Sequence, residues 1–173
     1  REGPLRIADQ RELHLLTEAF LAAGERLGLP RNPDYNSGDQ EGVGLYQQTM
    51  RKGRRWSAAD AYLKPAMDRS NLRAITGFLV ERIAFEGRRA VGVHCRVGEK
   101  SRMIRARRAV VLAAGAINSP HLLQLSGIGP AGWLAEAGIP VLIDRPAVGA
   151  DLRDHYAVRM AVRVQGAPTL NGR

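Results

Sequence analysis

The glycines between residues 127 and 132 have the spacing of a phosphate-binding loop. Gly127, Gly129 and Gly132 form the pattern G-x-G-x-x-G within the segment LSGIGPAGWL. In a dinucleotide-binding domain this pattern follows a strand and opens a helix, so that backbone N–H groups of the turn face a pyrophosphate. The residues on either side of the match therefore decide whether it has this function.

The residues before Gly127 predict a helix and not a strand. Ser119 suits the N-cap of a helix, Pro120 suits its first position, and Gly127 suits the position just after its end. Pro130 lacks the N–H group that a phosphate-binding turn would use. We therefore interpret the match as a joint between two helices, the second of which spans residues 131–137.

A second glycine turn lies a dozen residues upstream. Residues 109–114 are continuously apolar, which predicts a strand buried on both faces, as in a parallel sheet covered by helices. The predicted strand leads into Ala114, Gly115 and Ala116, a turn with no side chain larger than a methyl group. A ligand can approach the backbone of such a turn closely. This turn is therefore the better candidate for a binding site.

The first third of the chain predicts two helices separated by a long loop. Residues 9–12 have the spacing of a capping box, and apolar residues then recur at steps of three and four as far as Leu27. Residues 31–48 are rich in turn formers and predict an ordered loop, of a length that is often functional. Residues 57–60 form a second capping box, after which Pro65 must bend the helix or begin a new turn.

From residue 71 onward the apolar residues recur at every second position. This alternation predicts four strands, at residues 73–76, 79–85, 90–97 and 103–106. Short turns at Gly87 and Gly98 join the last three strands, which predicts an antiparallel meander. The expected fold class is α/β with α+β character.

Length and composition indicate a globular chain. With 173 residues, 45% of them hydrophobic, the chain has room for one ordinary domain or for pieces of two. It begins at Arg1 and not at Met, so we expect a segment of a longer polypeptide. No apolar run approaches the roughly 18 residues of a membrane-spanning helix, so no membrane span is expected.

The positive charge does not by itself indicate nucleic-acid binding. The formal net charge is +9, but the 23 arginines and 3 lysines are spread over the whole sequence. Aromatic residues, which stack on bases in many nucleic-acid-binding proteins, make up only 5% of the chain. The densest basic segments, residues 51–55 and 102–108, are expected to be solvated turns and strand edges.

The single cysteine is expected to be a buried apolar residue. Cys95 lies in the alternating run Val91, Val93, Cys95 and Val97. One cysteine excludes a disulfide framework and favours a reducing compartment. We therefore expect a cytoplasmic protein, with membrane association of a parent protein left open.

Residues 115–129 closely resemble the second signature of the glucose–methanol–choline (GMC) oxidoreductases. The segment reads GAINSPHLLQLSGIG. Further similarity extends along nearly the whole chain, in the segments GPL (3–5), YN (35–36), QEG (40–42), GRR (53–55), AYL (61–63), AVGV (90–93), VG (148–149) and LRDH (152–155). Together these segments resemble the branch that contains bacterial choline and alcohol dehydrogenases, although Ala150 and Asp151 depart from its usual acidic residue and Asn.

The resemblance implies a partial Rossmann-type FAD-binding domain with an antiparallel meander, together with parts of a substrate-binding domain. By this similarity residues 1–48 are a segment of the substrate domain, 49–146 the central part of the FAD-binding domain, and 147–173 the start of a second substrate-domain segment. The family's phosphate-binding glycines and its catalytic pair, a histidine with a second His or Asn, are both implied to lie outside this chain. No catalytic residue is therefore expected here, and the catalytic groups are expected beyond residue 173.

The implied activity is oxidation of a small-molecule alcohol, choline-like in this branch, by hydride transfer from its CH–OH carbon to N5 of FAD. The resemblance assigns the backbone of Val80 to the adenine end of FAD and Ala114 and Gly115 to its ADP half. The isolated chain is expected to bind FAD weakly or not at all. Because apolar surface meant for absent strands would be exposed, self-association is also expected.

The four histidines do not form a recognisable catalytic or metal-binding arrangement. His14 is placed on the first helix, His94 on the meander, and His121 in the first turn of the signature helix. His155 matches a recurring family motif, but a hydrogen-bonded structural histidine is the favoured interpretation. Two alternatives stay open: a non-catalytic binding or interaction module, and a basic nucleic-acid-binding domain.

Overall fold

The structure is a computed structural model that describes residues 3–168. The chain divides into two compact units, one formed by residues 3–74 with 160–168 and the other by residues 75–159. The expected functional division after residues 48 and 146 stays a prediction, and its outermost parts, residues 1–2 and 169–173, lie outside the described residues. Helices and antiparallel sheets occur together, as the expected fold class requires.

The first unit contains the predicted amphipathic helix, but a different residue caps it. Helix α1 spans Leu15–Arg26, and its N-cap is His14, whose Nδ1 accepts a hydrogen bond from the Leu16 N–H at 3.2 Å. The capping box predicted at residues 9–12 is therefore wrong, as is the placement of His14 on the helix. The helix buries Leu21, which is 1% exposed, in the core of this unit.

Residues 31–48 form an ordered loop, as predicted. A parallel bridge joins Arg31 to Val43, and an antiparallel bridge joins Ala8 to Gln48. The side chain of Asn32 joins two parts of the loop, because its Nδ2 donates to the carbonyl oxygens of Asp39 and Glu41 at 2.8 and 3.2 Å. The loop is therefore held by hydrogen bonds without regular secondary structure.

A short hairpin and a helical segment follow the loop. Strands β1 (Met50–Arg51) and β2 (Arg54–Arg55) pair antiparallel around a two-residue turn. The second predicted capping box is confirmed: the Ser57 N–H donates to Asp60 at 3.0 Å, and the Asp60 N–H donates to the Ser57 hydroxyl at 3.2 Å. The turn it caps is a π-helix, Ala59–Leu63, and it continues into the short helix α2, Lys64–Ala66, which contains Pro65.

The second unit contains the predicted antiparallel meander. Strands β3 (Leu79–Glu86), β4 (Arg89–Val97) and β5 (Lys100–Arg105) pair in the order β3-β4-β5. Gly87 and Gly98 have positive φ angles of 58° and 56° in the two connecting turns. The strand predicted at residues 73–76 is wrong, because that segment has no strand partner among the described residues.

The core of the meander contains the lone cysteine. Ile83, Ala84, Val91 and Cys95 are buried, and Cys95 has 0% exposure. Its thiol lies 3.5 Å from the carbonyl oxygen of Arg102 on the neighbouring strand. Cys95 is therefore a buried residue, as the alternation predicts.

The strand predicted at residues 109–114 is not formed in this chain. The segment has no strand assignment, and Val111 is 84% exposed. A strand in the middle of a parallel sheet needs hydrogen-bonding neighbours on its edges, and within residues 3–168 none pairs with this segment. The apolar sequence alone therefore does not produce the element.

Two helices and two short parallel strands complete the second unit. Helix α3 spans Gly115–Leu125, and strand β6 (Ile128–Gly129) follows it directly. Helix α4 (Ala131–Glu136) then leads to strand β7 (Ile143–Asp144), which pairs parallel with β6. Gly127 follows the end of α3 with a φ of 82°, and a second helix follows, as predicted; the joint between them, however, contains strand β6, which the sequence interpretation does not predict.

Ser126 fixes helix α3 to the edge of the meander. Its hydroxyl accepts a hydrogen bond from the Ile83 N–H of β3 at 2.8 Å and donates to the Leu122 carbonyl at 2.5 Å. We predict that Ser126→Ala lowers the free energy of unfolding by about 1–3 kcal/mol, since a partly buried N–H loses its partner. The midpoint of urea unfolding measures the loss. Ser101→Ala, on the exposed strand β5, is the control, and equal losses in both variants would contradict the assignment.

Asp60 makes the stability of the capping box depend on pH. Its pKa lies far below the ordinary value of 3.8, chiefly because the Lys64 ammonium donates to it, and also because Ser57 does. A carboxylate whose pKa is lower in the folded than in the unfolded state stabilises folding at pH values above its unfolded pKa. This contribution is lost as the pH falls toward the folded pKa.

We predict that the thermal midpoint of the native chain falls more steeply than that of Asp60→Asn between about pH 5 and about pH 2. The Asn side chain has no charge to lose, so the variant lacks this part of the dependence. Asp68→Asn is the matched control, because Asp68 is exposed and forms no ion pair with any residue that the structure describes. Parallel curves for the native chain and Asp60→Asn would refute the role of this carboxylate.

Candidate functional site

The turn at Ala114 and Gly115 opens helix α3. Ala114 is the N-cap, and Gly115 follows with a φ of 87°. The sequence places the N-cap at Ser119, which is wrong, because Ser119 and Pro120 lie inside the helix. The Ser119 hydroxyl still accepts a hydrogen bond at the helix start, from the Ala114 N–H at 3.0 Å.

The backbone of this turn is open to a ligand. Both residues are exposed, and an added Cβ on Gly115 would meet no atom within 4 Å. Across the part of the chain that the structure describes, no group accepts a hydrogen bond from the Gly115 or Ala116 N–H. The start of a helix carries a partial positive charge, so these N–H groups suit an anionic oxygen.

Val80 lies in the same unit, on the edge strand of the meander. It faces Cys95 of β4, and the register shifts between Val80 and Arg82. Strand β3 pairs on one side with β4, while its other side donates the Ile83 N–H to Ser126. Helix α3 packs against β3, although no hydrogen bond joins Val80 to Ala114 or Gly115.

A concave surface adjoins helix α3. Its volume is about 790 Å³, and it is formed by α3 residues with Trp133 and the turn at 147–153. The Gln124 side chain donates to the Val148 carbonyl at 3.0 Å and so joins the helix to this turn. Asp151, one of the two residues that depart from the family pattern, has a positive φ of 54° in the same turn.

The sequence interpretation does not find the role of Gln124. Its partner lies 24 residues away, and no local pattern indicates such a pair. The one residue in the sequence that could have indicated this contact is Gly149. An added Cβ at Gly149 would lie 2.7 Å from Nε2 of Gln124. The glycine therefore keeps the turn close to the helix.

The glycines at 127–132 do not form a phosphate-binding loop. An added Cβ on Gly127 would lie 2.5 Å from the Pro140 carbonyl oxygen, so the space beside this glycine is filled by the chain itself. The Ala131 N–H at the start of α4 donates to the Asp144 carboxylate at 3.1 Å. A carboxylate in this place repels a phosphate and occupies the donor that would bind it.

The histidines are not brought together. His14 caps α1, His94 lies half-buried on β4, and His121 lies in the second turn of α3. His155 is exposed, and its ring has no hydrogen-bond partner in residues 3–168, so the hydrogen-bonded structural histidine is not observed. Within the same residues, no group of three or more His, Cys, Asp and Glu could hold a metal ion.

No helix among the described residues is long and apolar enough to cross a membrane.

Two curated relatives share about half of their residues with the chain. An oxygen-dependent choline dehydrogenase of Brucella anthropi is 51% identical over 156 residues, which cover 90% of this chain and 28% of that protein. A protein of the same name from Rhizobium etli is 48% identical over 154 residues, which cover 89% of this chain and 28% of that protein. The chain thus spans about 28% of the length of these relatives.

Solved structures resemble the chain over most of its length. Pyridoxine 4-oxidase from Mesorbium loti superposes with a TM-score of 0.79 at 42% identity, over 84% of this chain and 29% of that one. An FAD-dependent oxidoreductase from Chaetomium thermophilum gives a TM-score of 0.80 at 31% identity, over 85% of this chain and 26% of that one.

A family model described as GMC oxidoreductase matches residues 1–157, which include the signature helix α3, its Ala114–Gly115 turn and the meander. With the resemblance of the sequence, the relatives and the structures in agreement, the chain belongs to the GMC oxidoreductase family.

Proposed function

We propose that this chain is the part of an FAD-dependent alcohol oxidoreductase that holds the adenosine diphosphate half of the cofactor. The observation that carries the proposal is the exposed turn of Ala114 and Gly115 at the start of α3. Family membership supports the cofactor, and the relatives named choline dehydrogenases support a choline-like CH–OH substrate.

The residues of the turn fit the diphosphate of FAD. Its N–H groups at Gly115 and Ala116 have no protein acceptor in the described part of the chain, and the helix dipole favours negative charge there. A side chain at residue 115 would project into the space beside the backbone and would be strained at a φ of 87°. Gly115 therefore permits the close approach that a diphosphate requires.

Val80 is proposed to meet the adenine ring through its backbone. A backbone N–H and C=O can pair with the edge of an adenine whatever the side chain, so an apolar valine suits this position. Its place on the edge strand β3 supports the proposal, because an edge strand has backbone groups that no neighbouring strand occupies.

When bound, FAD would supply the hydride acceptor for oxidation of the CH–OH group. This chain's own residues would bind and orient the cofactor, and the groups that move protons are proposed to lie outside residues 1–173. We also place the protein in the cytoplasm, a proposal supported by the free and buried thiol of Cys95.

The proposal predicts that Gly115→Val abolishes flavin binding by the complete polypeptide that carries these residues. The valine side chain would occupy the space of the diphosphate and strain the turn. Absorbance of bound flavin at a fixed protein concentration measures the effect. Gly98→Val is the matched control, because Gly98 also has a positive φ and open space but lies in the β4–β5 turn. Full flavin content in Gly115→Val would refute the proposed contact.

The isolated 173-residue chain is predicted to bind FAD weakly or not at all and to self-associate. Val111 and Ile117 are 84% and 71% exposed in it, and such surface favours association in water. Light scattering measures the association, and flavin fluorescence measures the binding. Val111→Ser with Ile117→Ser should reduce the association; a yellow, monodisperse native chain would contradict both parts of the prediction.

A further inference from the structure

The β1–β2 hairpin concentrates positive charge around a concave surface in the first unit. Strand pairing places Arg51 directly opposite Arg54, and like charges in this arrangement repel. The turn between them has Lys52 at a φ of 51°, where a non-glycine residue is strained. The hairpin therefore combines two unfavourable features.

The cations of the hairpin have no ion-pair partner among the residues that the structure describes. Within residues 3–168, Arg51, Lys52, Arg54 and Arg55 form no ion pair. The nearby carboxylate of Asp60 is already engaged by the Lys64 ammonium and the Ser57 hydroxyl. An anion from outside the chain would therefore meet unpaired guanidinium and ammonium groups.

These groups line an open concave pocket of a size suited to a small ligand. The cavity has a volume of about 600 Å³, within the range of small-molecule sites. We call it the cationic hairpin pocket, and its lining consists of Asp60, Trp56 and the cations Arg51, Lys52, Arg54, Arg55 and Lys64. Five cations against one carboxylate leave the pocket strongly positive.

Trp56 holds one of the guanidinium groups in place. Its indole N–H donates to the Pro4 carbonyl at 2.9 Å, which fixes the ring. The Arg51 guanidinium lies over the ring, 4.8 Å from its centroid. A guanidinium stacked in this way keeps its N–H donors at its rim, where they can bind an oxyanion in the bidentate mode.

We propose that the cationic hairpin pocket binds a small multivalent oxyanion of the diphosphate class. Several guanidinium groups around one cavity match the charge and the planar acceptor pairs of such an anion. This proposal does not rest on the proposed flavin site. Every residue that carries it lies within residues 4–64, and the Ala114–Gly115 turn is not among them.

Calorimetric titration with inorganic pyrophosphate tests the proposal. The complete polypeptide is titrated at constant ionic strength and in saturating FAD, so that pyrophosphate cannot be bound at an empty flavin site. Absorbance of the bound flavin reports separately whether the proposed flavin site binds its cofactor. We expect saturable binding that weakens about tenfold or more in Arg54→Gln/Arg55→Gln. The matched control is Arg107→Gln/Arg108→Gln, which removes two neighbouring exposed arginines of the other unit and should bind as the native protein does.

Titrations with ADP and with a single-stranded oligonucleotide distinguish between the possible anionic ligands. If ADP binds more tightly than pyrophosphate, the ligand is a nucleotide; if equally, it is the diphosphate group alone. Both outcomes support the pocket. Absence of pyrophosphate binding, or equal weakening in the two double variants, would overturn it. Tight binding of a single-stranded oligonucleotide that both double variants weaken equally would also overturn it, because that result indicates general attraction to nucleic acid.

A measurement on the native protein keeps the test independent of variant folding. Phenylglyoxal modifies accessible arginines, and mass spectrometry locates the modified residues. Pyrophosphate is expected to protect Arg54 and Arg55 but not Arg107 and Arg108. Equal modification with and without pyrophosphate would overturn the proposal.

Discussion

The hydroxyl group of Ser126 joins the two kinds of secondary structure in the second unit. It accepts the Ile83 N–H of the meander and donates to the Leu122 carbonyl of helix α3. A strand edge and a helix end each leave backbone groups without partners, and this one side chain satisfies one of each. This bond fixes the end of α3 to β3, and the open turn lies at the other end of the same helix. Together with the packing of α3 against β3 and β6, this hydrogen bond holds the helix that carries the candidate cofactor turn.

The first unit achieves order by a different route. Its loop at residues 31–48 has no long strand, so side chains and isolated bridges take the place of a ladder. The Asn32 side chain donates to two carbonyl groups, and Gly42 and Gly44 pass so close to the backbone that an added Cβ would lie 2.2 Å from Pro30 O and 2.3 Å from Asn32 O. Such close passages explain why glycine is needed in the loop.

Local sequence patterns predict the elements whose partners are near in sequence. The meander was predictable because alternation and turn glycines define both its strands and their neighbours. The cap of α1 was not, because the spacing at residues 9–12 suits a capping box while an imidazole two residues further on accepts the N–H. The absence of a strand at 109–114 was not predictable either, because a strand there requires neighbouring strands that residues 3–168 do not supply. For the site, Ala114 and Gly115 were predictable as an open turn, whereas Gln124 binds a carbonyl 24 residues away and leaves no local signal.

The two glycine turns of this unit show why spacing alone does not identify a phosphate site. Both contain a glycine with positive φ, Gly115 at 87° and Gly127 at 82°. They differ in what lies beside the backbone: open space at Gly115, but the Pro140 carbonyl at Gly127. They also differ in the N–H groups at the start of the helix that follows each turn. The Ala131 N–H of α4 already donates to the Asp144 carboxylate, while the Gly115 and Ala116 N–H groups of α3 have no acceptor among the described residues. An anion requires space and free donors together, and in this unit the turn that opens α3 combines both although it lacks the G-x-G-x-x-G spacing.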